Sequence, residues 1–123
     1  MKRLLLALAA VLAIAAPAQA IDFGAGATAT AVASDTADVQ GVAASAGLRL
    51  LGFSCRENAG SPAAAEFIIR NGTAASDPPV AFVKLAASES VREFMGDAGI
   101  SCPNGIFIDR VTGTTEITIF SKQ

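Results

Sequence analysis

Residues Ile100 to Phe120 read ISCPNGIFIDRVTGTTEITIF. Two kinds of signal alternate in this stretch. Ile106–Val111 (IFIDRV) and Glu116–Phe120 (EITIF) are short and rich in β-branched and aromatic residues. Polar and apolar side chains alternate in the second of them, as a half-buried strand requires. Between them stand Pro103-Asn104-Gly105 and Thr112-Gly113-Thr114, which are turn formers. Asn-Gly is a hairpin signal because both residues tolerate positive φ. Ile100–Cys102 therefore reads as a short strand leading into a tight turn and the next strand.

The same pattern extends toward the N-terminus. Leu48–Cys55 (LRLLGFSC) places Leu51, Phe53 and Cys55 on one face by period two. Glu57-Asn58-Ala59-Gly60-Ser61-Pro62 is a turn region. Ala64–Arg70 (AAEFIIR) is a second strand with Phe67 and Ile69 on one face. Asn71-Gly72 and Ser76-Asp77-Pro78-Pro79 form a loop that no helix or central strand tolerates. Val80–Ala87 (VAFVKLAA) is a third strand. Ser88–Met95 (SESVREFM) is ambiguous. Val91, Phe94 and Met95 sit at helical spacing and Ser88 is a cap candidate, so a short helix and an extended bend are both open. Short strands with a turn every 8–12 residues define an all-β domain, an antiparallel β-sandwich or jelly-roll-like fold. A membrane barrel needs strands of about 9–11 residues and aromatic girdles. The strands here are shorter, and the chain has no Trp or Tyr.

The first twenty residues carry a different message. Lys2 and Arg3 precede an apolar run, Leu4 to Ala16, of 13 residues. Pro17 breaks the run, and Ala18-Gln19-Ala20 is a small-x-small cleavage site. This is the order of a secretory signal peptide, and the run is short of the roughly 20 residues of a spanning helix. The expected mature chain starts at Ile21 and is secreted or periplasmic. Residues 21–46 are an Ala/Gly/Thr-rich arm, expected to be a flexible leader or to dock one strand near Thr28–Ala33. The sandwich domain is expected over residues 47–123.

Without residues 1–20 the chain has 103 residues, with seven basic and eleven acidic side chains and a net charge of −4. That is one modest domain. With no block of like charge, a phosphate-binding footprint is absent and nucleic acid is not an expected partner. Cys55 and Cys102 are the only cysteines. In an oxidising compartment the simplest expectation is one disulfide. It would close a loop of about 48 residues, worth on the order of 4 kcal/mol in the chain-entropy model. Two buried free thiols are the alternative.

The chain contains no histidine. That removes the usual catalytic triads, the commonest zinc ligand and the default general base near neutral pH. The nucleophile elbow and the P-loop are missing as motifs. Phe23-Gly24-Ala25-Gly26 is half of a dinucleotide fingerprint but lacks the strand and helix around it. Glu66, Asp97 and Asp109 are the candidate carboxylates for a hydrolytic pair, and Asp77, Asp97 and Asp109 lie in candidate cation loops. None has the spacing of a known site, and solvated surface charge is the favoured reading. Arg56, Arg92 and Arg110 read as surface residues. Asn71-Gly72-Thr73 matches a glycosylation acceptor only as a three-residue pattern. No catalytic, cofactor or metal residues are assigned, and the expected function is non-enzymatic.

From Gly47 to Phe120 the chain resembles small all-β proteins of bacteriophage and prophage structural regions. The resemblance rests on GLRLLGFSCRENAGSPAAAEFIIRNGT and on PPVAFVKLAASESVREFMGDAGISCPNGIFIDRVTGTTEITIF. The features are a leucine-rich first strand running into Arg-Glu, an Ala-rich second strand ending in Gly-Thr, and a final Gly-Ile hairpin. It implies a β-sandwich virion or surface component that works by packing and repetition, without active-site residues. The secretory signal and the two cysteines depart from that pattern. The expected function is an exported structural or surface protein, virion-associated or part of an envelope, acting by self-association or docking. The alternative is a periplasmic or secreted binding module for a protein or carbohydrate.

Overall fold

The computed structural model describes residues 25–123. The expected signal peptide, residues 1–20, lies outside the described residues, as do the first residues of the arm. Nine strands follow in order: β1 (Thr28–Asp35), β2 (Val39–Val42), β3 (Arg49–Glu57), β4 (Ala65–Asn71), β5 (Pro79–Leu85), β6 (Ser90–Phe94), β7 (Ile100–Ser101), β8 (Ile106–Thr112) and β9 (Thr115–Lys122). They build two antiparallel sheets. One has the order β1-β9-β3-β6, with β7 also on β3; the other has the order β2-β8-β4-β5. The all-β sandwich expected from the alternation is the observed architecture.

The core lies between the sheets. Val32, Leu48, Leu50, Phe53, Cys55, Phe67, Ile69, Val83, Leu85, Ile106, Ile108, Ile117 and Ile119 form its buried cluster. Phe53 of β3 and Phe67 of β4 meet edge to face across the sheets, with ring centroids 6.2 Å apart and planes at 78°. That geometry suits the ring quadrupoles. In β9 every second residue from Thr115 to Ser121 is buried, so the alternation of its sequence maps directly onto the fold.

The arm is not separate from the domain. β1 pairs with β9 from Thr28↔Ser121 to Asp35↔Thr115. β2 pairs with β8 through Val39↔Ile108 and Gln40↔Phe107. Of the two expectations for the arm, a flexible leader and a docked strand near Thr28–Ala33, the docked strand is observed as β1, and both sheets take an edge strand from the Ala/Gly/Thr-rich region. Val32 enters the core and Val39 and Val42 pack against it, and the backbone ladders attach the rest. Arg110, expected at the surface, is buried. Its guanidinium donates to the Ala37 carbonyl and, at 3.2 Å, to Thr115 Oγ1, while its backbone N–H donates to Asp38 Oδ1 at 2.7 Å. One side chain thus ties the β1–β2 connection to β8 and β9.

One open reading is settled and one hairpin is revised. Of the short helix and the extended form left open for Ser88–Met95, the extended one is observed: Ser90–Phe94 is strand β6, because Gly52 to Arg56 supply a complete ladder for it. The Asn104-Gly105 turn is not a hairpin: β7 belongs to the first sheet and β8 to the second. Gly113 and Thr114 likewise link β8 to β9 across the sandwich. Three Cα–Cα steps reach about 11 Å, just enough to bridge sheets packed about 10 Å apart. Gly113 has φ 75°, and a Cβ there would lie 2.7 Å from the Ala65 Cβ.

The expected disulfide is also corrected. Cys55 lies opposite Val91 and Ile117. Cys102 is at the other end of β3, its N–H bonded to the Leu48 carbonyl at 2.9 Å. Seven residues of strand separate the two positions, about 20 Å. A disulfide needs Cα atoms within about 7 Å. Both cysteines are free and buried.

Candidate interaction surface

The carboxylates singled out in the sequence do not converge. Glu66 and Asp109 share the outer face of the second sheet, and each is neutralised by its own cation. Lys84 Nζ lies 3.3 Å from Glu66 Oε2. Arg70 donates to Asp109 Oδ2 from Nε at 2.8 Å and reaches it from Nη2 at 2.7 Å. Asp97 is in the loop between β6 and β7, where its backbone carbonyl accepts from Lys122 Nζ. Asp77 closes the β4–β5 loop, its Oδ2 accepting from the N–H groups of Thr73 and Ala74 at 2.7 and 2.8 Å. No group of three or more His, Cys, Asp or Glu able to hold a metal occurs among the described residues. Arg56 pairs with Glu116 at 2.6 Å on the exposed face of the first sheet, and Arg92 is exposed on β6. Asn71 uses its Oδ1 to accept from the Asn104 N–H at 3.1 Å.

One internal carboxylate organises the loops at one end of the sandwich. Glu57, read as part of a turn, is buried at the end of β3. Its carboxylate accepts from Ser88 N–H at 2.9 Å and Ala59 N–H at 2.7 Å. The Ser88 bond, then the Ala59 bond, hold its carboxyl below the ordinary carboxylate range. Ser88 has φ 61°, a left-handed conformation that L-residues adopt at a cost. The Glu57 bond anchors it there. The thiols are affected in the opposite sense. Burial pushes Cys55 up to about 11 and raises Cys102 as well. Both are poor nucleophiles at neutral pH.

What the sheets leave exposed is more distinctive. Phe82, in the middle of edge strand β5, is 68 % exposed. It stands opposite Ile68 of β4, which is opposite Asp109 of β8. Phe107 and Ile68 are half-buried on the same face, and Val111 is 49 % exposed. The Arg70–Asp109 pair between them has side chains only 15 % exposed and is internally neutral. This face therefore mixes apolar side chains with mutually neutralised ion pairs and carries no net charge at its centre. In VAFVKL the signal for the outward Phe82 is Lys84 two residues on, which marks that face of an otherwise apolar strand as the outer one.

A second feature lies on the opposite side of the sandwich, between the β1 and β2 edges. It is a cleft of about 470 Å³ lined by Gly26, Thr28, Thr30, Val42, Ser121, Lys122 and Gln123. Thr28, Thr30 and Ser121 bring hydroxyls to it, while the Lys122 ammonium is engaged by the Asp97 carbonyl.

Among the described residues, no helix is long and apolar enough to cross a membrane. Comparison with protein-family models, curated proteins and solved structures found no match.

Proposed function

We propose that this chain is an exported, non-enzymatic structural or surface protein, virion-associated or part of a bacterial envelope, that works by self-association or docking through its sheet edges. The observation carrying this reading is the exposed Phe82 on an edge strand, continuous with the partly apolar, charge-balanced face of β4 and β8. Monomeric proteins usually guard strand edges or keep large apolar groups off them. The signal-peptide pattern of residues 1–20 supports export. The resemblance of Gly47–Phe120 to phage structural proteins supports a part assembled from repeated copies.

The test is light scattering on the exported form, together with recovery of the protein from its native fraction. A defined oligomer or a stable partner is the expected result. A soluble monomer with no partner in that fraction overturns the reading.

The polar cleft beside β1 and β2 favours a second reading, a secreted or periplasmic binding module for a protein or carbohydrate. Its hydroxyl lining suits a polyol, although no Trp or Tyr is available to stack on sugar rings. A glycan array showing binding that Thr30→Val and Ser121→Ala abolish would establish it. An empty array removes the carbohydrate branch.

A further inference from the structure

Among the described residues the sandwich has four open edges, and they differ in what they offer a partner. β2 has four residues, and the Gln40 side chain donates from Nε2 to the carbonyls of Val42, Ile106 and Gly72 beside it. β6 and β7 are interrupted by the Met95–Gly99 loop. Arg92 and Glu93 occupy successive positions on β6, so two-fold self-pairing centred on either sets like charges opposite. β1 presents small side chains that add little contact area. β6 also has an exposed ring, Phe94 at 42 %, two residues from the exposed Arg92, but the axis that matches them sets Glu93 opposite Glu93. β5 offers the more exposed ring, Phe82 at 68 %, two residues from the Lys84 side chain at 77 %, with the apolar Val83 between them.

These two residues share one face of the strand, since Phe82 lies opposite Ile68 and Lys84 opposite Glu66. An antiparallel two-fold pairing of β5 with itself must match residues of the same face, because the axis runs perpendicular to the sheet. An axis through Val83 places Phe82 opposite Lys84 of the second copy, and Lys84 opposite its Phe82. On the inner face Val83 meets Val83, and Ala81 meets Leu85, extending the core across the junction. Pro79, which has no N–H to donate, falls outside the paired residues Ala81–Leu85. The Lys84 ammonium then lies over a phenyl ring while keeping Glu66 beside it.

We infer that the partner of this edge is a second copy of the same chain, joined through β5 in that register. This gives an eight-stranded sheet from the two four-stranded ones. The inference rests on the self-association reading and specifies its surface. Five strand residues and one phenyl ring from each copy bury less than the roughly 1,200–2,000 Å² of a stable interface. The dimer is therefore weak and strongly concentration-dependent.

The test is sedimentation equilibrium of the exported form over a wide concentration range, with Phe82→Lys and Phe82→Glu alongside it. Thermal melting checks that both variants fold, which the exposure of residue 82 allows. Phe82→Lys places Lys opposite Lys84 twice per dimer and is expected to weaken association roughly tenfold or more. Phe82→Glu places Glu opposite Lys84 twice. It should stay within roughly threefold of the wild type at low salt and weaken as salt is added. Equal weakening by both variants overturns the register. A wild-type oligomer indifferent to both overturns the β5 edge while leaving self-association standing. A wild type that is monomeric at every concentration overturns both.

Discussion

Cys55 and Cys102 occupy apolar surroundings at opposite ends of one strand, and their chemistry follows from that placement. Intact mass of the folded protein should equal the fully reduced value. Iodoacetamide should leave the folded protein untouched and add two adducts after denaturation without reductant. A mass two hydrogens lower would contradict this geometry. The raised thiol pKa values also set an alkaline limit. The folded state favours the neutral thiol, so its contribution is complete below the ordinary value of 9.0 and is lost as pH rises toward about 11 for Cys55. Cys55→Ala should flatten that alkaline slope in urea titrations. Glu57 acts at the other end of the scale. Its lowered pKa means that its contribution is present above the usual carboxylate range and disappears as pH falls through the folded-state value. Glu57→Gln should remove part of the acid sensitivity. A variant whose acid unfolding matches the wild type would count against the bonds to Ser88 and Ala59. None of this was legible from spacing, because two cysteines 47 residues apart carry no record of which strand lies between them.

Strand β3 illustrates what element-level reading captures and what it misses. The alternation of Phe53 and Cys55 marks a buried face, but the bulge between Leu50 and Gly52 moves the preceding leucines into a different phase. Leu48 and Leu50 join the core cluster, whereas Leu51 is buried against the Gly99 loop. Gly52 is required where β6 approaches: an added Cβ would fall on the Glu93 carbonyl. Gly52→Ala should destabilise by about 1–3 kcal/mol in denaturant unfolding, the usual range for overpacking. Phe67→Ala should cost about 3–5 kcal/mol by emptying the ring position between the sheets. β4 and β9 were readable because one face of each is buried and the other is not. β1 was legible as one of two readings of the arm, a docked strand near Thr28–Ala33, whereas β2 was not, since alanine, glycine and threonine give a weak burial signal. Sheet membership was hidden as well, because Asn104-Gly105 and Thr112-Gly113-Thr114 have the same turn chemistry in a hairpin and in a crossing between sheets.

At the scale of the whole molecule, the low-complexity arm is structural. Removing residues 21–46 takes an edge strand from each sheet and strips the partners of Arg110 at Ala37 and Asp38. That truncation should lose cooperative unfolding by circular dichroism, whereas an independent arm would leave it intact. Arg110→Ala should destabilise by about 1–3 kcal/mol, because it leaves buried acceptors unsatisfied. What remains outward after this packing is a partly apolar, charge-balanced face ending at Phe82. The central claim is that this edge brings copies of the chain together. Sedimentation velocity of the chain from Ile21 to Gln123 over increasing concentration tests it most directly. A sedimentation coefficient that rises with concentration toward that of a dimer is the expected result. A constant monomer value up to the highest attainable concentration would contradict the account.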